Sequence, residues 1–173
     1  MRTRAHGFTM VELMIALAIA ALLVVLAAPN YTLWVADSQI RNGAESIASG
    51  IRNAQAQAVN RNVNVEFVLD PTVATGGWIT QDVNGPTLLL RGVFAEGADR
   101  VTFTTTPVVA RKITYTGLGR IVANADATPT ITRVDVTSAV NGSRNLRVEV
   151  GGGVTGVKLC DPKYVVPDPK ACP

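Results

Sequence analysis

Apolar residues are spaced in three different ways along this chain. From Phe8 to Ala28 they are nearly continuous, and only Thr9 and Glu12 interrupt them. As a helix rising about 1.5 Å per residue, this run spans roughly 30 Å, the thickness of a bilayer core. From Asn30 to about Arg61 the spacing becomes helical and one-sided. Leu33, Ile40, Ile47 and Ala54 recur every seven residues with Ala44, Ile51 and Ala58 between them, while Asp37, Gln39, Arg41, Glu45, Arg52 and Gln57 are polar. The two patterns predict one helix over about 9–61, half in a membrane and half packed on a head, with Pro29, Gly43 and Gly50 as its weak points. A stripe this narrow should lie against a sheet; a coiled-coil dimer through the same stripe is the competing reading.

Beyond Arg61 the apolar residues alternate. Val63–Leu69, Trp78–Val83, Thr87–Val93, Val101–Thr105, Lys112–Thr116, Ile131–Thr137, Arg144–Val150 and Val154–Leu159 read as short strands, separated by turns such as Asn84-Gly85-Pro86, Asn141-Gly142-Ser143 and Gly151-Gly152-Gly153. Ala123–Thr130, small and polar, reads as an exposed loop. The fold class is α+β, a long N-terminal helix on an antiparallel sheet or sandwich.

Composition locates the functional signal at the N-terminus. The chain has 173 residues, 47% hydrophobic and 17% charged, with a formal net charge of +3. Arg2 and Arg4 precede the apolar run with no acid between, which predicts a cytoplasmic N-terminus and an outward-crossing remainder. An ordinary secretory signal cut near Ala28 fits less well, because Leu26-Ala27-Ala28-Pro29 lacks a small residue three places before the cut. Glu12 decides the reading. A lone carboxylate in a membrane helix costs about 2.5–3.5 kcal/mol and needs a partner, and the run contains no Lys or Arg. The cation must come from a neighbouring subunit or from an amine made by proteolysis before Phe8.

Gly7-Phe8-Thr9-Met10-Val11-Glu12-Leu13 resembles the type III signal of type IV prepilins and pseudopilins: a short basic leader ending in Gly, then Phe, with Glu fifth in the processed chain. The resemblance implies cleavage after Gly7 by prepilin peptidase, N-methylation of Phe8, and pairing of Glu12 with the Phe8 amine of an adjacent subunit. It divides the chain into a leader (1–7), a transmembrane assembly half of the helix (8–29) and a periplasmic pilin-like head (30–173). The head comprises the amphipathic half-helix 30–61, a β region 62–160 and a tail 160–173. Lys112-Ile113-Thr114-Tyr115-Thr116-Gly117-Leu118-Gly119-Arg120-Ile121, an aromatic and Gly-containing spacer before a small strand, and the Gly-rich turn before a basic strand at Gly151–Cys160 are similar to the GspH/FimT-type minor pilins and pseudopilins.

Two further features bear on function. Cys160 and Cys172 are the only cysteines; in an exported head they should pair, and the tail they close contains Pro162, Pro167 and Pro169 and little to bury. Some FimT-like minor pilins carry a Gly-Arg-x-Arg sequence that contacts DNA. Here Thr155-Gly156-Val157-Lys158 lacks the first Arg, and Arg144 and Arg147, three apart on the expected strand, would point to opposite faces. Arg144, Arg147 and Lys158 are thus weak DNA candidates. Removing the leader leaves 14 basic against 13 acidic residues, a formal +1, which lends nucleic-acid binding little support.

Enzyme chemistry is not expected. The single histidine, His6, lies in the leader, so the processed chain has neither the commonest general base nor the commonest metal ligand. Asp161 and Asp168 read as surface-loop residues rather than calcium ligands. No catalytic, cofactor or metal residue is assigned. The resemblance implies a minor pilin that primes or caps a type IV pilus, with a minor pseudopilin of type II secretion and a pilus-associated DNA-binding subunit as alternatives. Its implied partners are other pilins or pseudopilins, prepilin peptidase, the inner-membrane assembly platform and inner-membrane lipid. Its implied location is the inner membrane, as a single-pass precursor, and then the filament.

Overall fold

A computed structural model of the chain describes residues 9–70, 76–85, 87–94, 98, 101–151 and 156–172, with the backbone alone over 26–29. One helix, α1 (Met10–Arg61), precedes nine strands among the described residues: β1 (Val65–Asp70), β2 (Gly77–Asp82), β3 (Leu88–Val93), β4 (Val101–Thr106), β5 (Lys112–Tyr115), β6 (Ile121–Val122), β7 (Arg133–Ser138), β8 (Leu146–Val150) and β9 (Val157–Cys160).

Both ends of α1 are chemically specified. Thr9 caps the start, its hydroxyl accepting from the Glu12 N–H at 3.2 Å, which satisfies one of the free donors of the first turn. At the other end Asn62 turns left-handed (φ 53°) and its N–H reaches the carbonyls of Ala58 and Val59. Between them Ile40, Ala44, Ile47, Ile51, Ala54 and Ala58 are fully buried. The apolar stripe is consumed by the chain's own sheets, so no face remains for the coiled-coil alternative. Leu33, at the head of the stripe, is half-buried.

The expected weak points resolve differently. The helix is unbroken through Gly43 and Gly50, both buried, because glycine here permits close approach. A Cβ on Gly50 would lie 2.7 Å from the Trp78 ring and 2.9 Å from the Phe67 ring. The bend falls instead across residues 26–29, where Met10–Val25 and Asn30–Arg61 are inclined by 44°. That interval contains Pro29, which has no N–H for the helix. Among the described residues no single straight helix is long and apolar enough to cross a membrane; the two segments meet that test only together, as a bent pair.

The strands form two antiparallel sheets, β3-β2-β1-β5-β6 and β4-β7-β8-β9, and strands of both contact α1. In the second sheet the alternation is clean. Val134, Val136, Leu146, Val148 and Val150 are buried towards the core, whereas register places Arg133, Asp135, Arg147, Glu149 and Lys158 on the opposite, outer face.

Three strand starts shift for identifiable reasons. Val63 is excluded from β1 because its N–H caps the helix at Ala58. Ile131 precedes β7, its N–H given to Lys112. Arg144 precedes β8 because the Asp37 carboxylate takes its N–H at 2.8 Å. Val154 and the centre of the Gly151–Gly153 turn lie outside the described residues, as does Pro86.

The Ala123–Thr130 loop is more organised than its composition suggests. Asn124 is 4% exposed. It accepts from the Thr114 hydroxyl at 2.9 Å and donates to the Thr128 carbonyl at 2.9 Å. Asp126, held by Thr128, also reaches Lys112 at 2.9 Å. The Thr128 hydrogen bond and then Lys112 hold the Asp126 carboxyl well below the usual range, and Asp126 in turn raises Lys112. Asn124→Ala is expected to cost the head about 1–2 kcal/mol, since it strands the buried Thr114 hydroxyl; urea denaturation of the variant checks this.

Candidate functional site

The chemistry expected of this chain is concentrated at two places. At the start of α1, Glu12 occupies the first turn, where the helix dipole favours an anion. It is exposed, on a helix whose Met10, Val11, Leu13, Met14 and Ile15 are also exposed. Among the described residues no cation pairs with it, whereas six other ion pairs are formed in the head and along the helix. Gly7 and Phe8 lie outside the described residues. The cap itself was missed by the pattern of apolar residues, although Thr9-Met10-Val11-Glu12 carries a legible signal, a Thr three places before a Glu.

The second place is the C-terminal tail, folded back on β8 and β9. Cys160 ends β9 and is joined to Cys172 with a Cα–Cα distance of 5.1 Å. Asp161, expected on a surface loop, is instead 3% exposed. Its carboxylate accepts from Arg144 at 3.2 Å and from the Lys163 N–H at 2.9 Å, and its own N–H donates to the Lys170 carbonyl at 2.8 Å. Asp168 accepts from the Lys170 N–H in an exposed turn. Sequence alone gave no reason to choose Asp161 over Asp168; a residue adjacent to a paired cysteine and within reach of a cation on a distant segment becomes visible only once the sheet register is known.

The three DNA candidates are each engaged by their own chain. Arg144 lies before β8, not on it, so strand alternation says nothing of its direction; it holds Asp161. Arg147 pairs with Asp135 at 2.6 Å, and Lys158 donates to the Ala171 carbonyl at 3.1 Å. Register places Arg147 and Lys158 on one face with Glu149, the cross-strand partner of Lys158, between them. Glu149, Cys160 and Cys172 bring three potential metal ligands together, but the disulfide removes both thiolates from that set. A groove of about 560 Å³ runs between α1 and the tail, lined by Trp34, Asp37, Arg41, Leu159 and Pro169 among others.

Comparison with known families completes the picture. Residues 2–28 match the prokaryotic N-terminal methylation motif, and residues 43–153 match the family described as type II transport protein GspH. The chain belongs to the GspH family. This GspH-family chain is therefore of the class of type IV minor pilins and GspH-like pseudopilins, a structural class of filament subunits. Among solved structures it is similar to the type IV minor pilin FimU of Pseudomonas aeruginosa strain PAO1. That match has 16% identity, covers 64% of this chain and 81% of that one, and has a TM-score of 0.48. A search of curated proteins gives no match.

Proposed function

We propose that this chain is a minor pilin, a subunit that primes or caps assembly of a type IV pilus. Prepilin peptidase removes Met1–Gly7, Phe8 is N-methylated, and the apolar half of α1 holds the subunit in the inner membrane with the head in the periplasm. The observation that carries this reading is Glu12: exposed, in the first turn of an apolar helix, and without a cation among the described residues. Moving such a carboxylate into a filament core without a partner is unfavourable by several kcal/mol. Glu12 therefore admits the subunit only in the register that brings a neighbour's Phe8 amine to it. Glu12→Ala is expected to be processed at the normal rate and to enter sheared filaments at least about tenfold less. Normal incorporation of that variant defeats the role assigned to Glu12.

The family description favours a second reading, a minor pseudopilin of type II secretion. Deleting the gene separates the two: loss of surface pili supports the first, and loss of protein secretion with normal pili supports the second. A DNA-binding role draws less support, since Arg144, Arg147 and Lys158 already have acceptors. Its signature is a complex that weakens steeply with salt, with a slope reduced when these three become Ala.

A further inference from the structure

We infer that Tyr31 and Trp34 form an interfacial anchor that sets how deep the precursor sits in the bilayer, the lipid headgroup region being their partner. This rests on the membrane-anchored reading of α1 given above. No charged residue occurs from Leu13 to Ala36, a stretch about 36 Å long along its axis that still advances roughly 30 Å across the bilayer when the 44° bend at residues 26–29 is included. The hydrocarbon core is about 30 Å thick, so the end of this uncharged stretch reaches the headgroup level. Tyr31 and Trp34 stand there, one turn apart.

Neither ring belongs to the core of the head. Tyr31 is 65% and Trp34 67% exposed, in contrast to Trp78 at 6%. Their ring centroids are 6.2 Å apart, so both lie on one side of the helix and form a single aromatic surface. The surface is continuous with the exposed apolar helix that begins at Met10 and is followed at once by Asp37, the first charge on the head side. Each ring has an apolar body and one polar group, an O–H or an N–H. Such side chains are most stable where hydrocarbon meets water. Exposure of two large rings on a helix whose core stripe, Ile40 to Ala58, is fully buried is thereby explained.

The test uses the full-length chain in vesicles of phosphatidylcholine and phosphatidylglycerol. Lipids carrying a nitroxide either near the headgroup or deep in the acyl chain quench tryptophan by contact. Subtracting the signal of Trp34→Phe isolates Trp34 from the buried Trp78. Quenching by the shallow label about twofold or more above the deep one is expected. Stronger quenching by the deep label overturns the inference, because the rings then lie in hydrocarbon. Absence of quenching by either label, with the chain still floating with the vesicles, also overturns it. In that case a photo-crosslinker at position 34 that joins two copies identifies a protein neighbour as the true occupant. Failure to float is a separate result: it defeats the membrane-anchored reading itself.

Discussion

Replacing Cys160 and Cys172 together by Ser will destabilise the head by about 3 kcal/mol, and residues 161–172 will be released before either sheet unfolds. The bond joins positions 12 apart, so it closes a loop whose ends would otherwise be free in the unfolded chain. Ordering each tail residue costs about 1–2 kcal/mol of backbone entropy, and the tail has little apolar area with which to offset it. Tyr164, Val165 and Val166 are exposed, and only Asp161 and Ala171 are buried at its ends. Its other attachments to the head are the Arg144–Asp161 pair and the Lys158 bond to Ala171, while the Asp161–Lys170 backbone bond only closes the tail on itself. Arg144 is half exposed, so water competes for that pair and its contribution is small. Thermal melts of the oxidised, reduced and double-Ser forms measure the loss, and hydrogen exchange at Asp161 and Ala171 reports which part opens first. An unchanged melting midpoint with those amides still protected contradicts the assignment of the disulfide as the main tether of the tail.

What sequence made legible follows from how local each cause is. The helix from Thr9 to Arg61, its buried stripe and most strands depend on periodicity, which a few neighbouring residues carry. The N-terminal signal is likewise local, since Gly7, Phe8 and Glu12 fall within six consecutive positions of the sequence. The arrangement of the strands into two sheets is not local. Pairing of β1 with β5 brings Phe67 opposite Ile113, and nothing in either strand names the other as partner. The Asp161 clamp and the Asn124 hub fail for the same reason: their partners lie 17 and 10 residues away in sequence, across a register that must form first. Gly43 and Gly50 were misread for a different reason. Helix propensity judges a glycine by its own backbone, whereas here the decisive quantity is the distance to a ring on another element.

That distinction yields the second large effect. Gly50→Ala is expected to destabilise the head by about 2 kcal/mol net, although Ala is the better helix former by about 1 kcal/mol. The new methyl would sit 2.7–2.8 Å from the Trp78 ring and 2.9 Å from Phe67, closer than carbon atoms can pack. Neither ring can yield cheaply. They pack on each other at a centroid distance of 5.8 Å, the Trp78 N–H is held by the Ser46 hydroxyl at 3.0 Å, and a Cβ at Gly92 would lie 2.3–2.6 Å from the other side of the indole. Trp78 is thus clamped between two glycines, one on α1 and one on β3, and the helix must move away from the first sheet to admit a methyl. Gly43→Ala provides the internal comparison. Its methyl would meet Phe103 and Ala98 at 3.2–3.3 Å, a contact that a shift of a few tenths of an ångström relieves, so propensity and packing should cancel to within about 1 kcal/mol. Denaturation midpoints of the two variants decide between the mechanisms. Backbone propensity alone requires both to be stabilised equally, whereas close approach requires Gly50→Ala to fall well below Gly43→Ala.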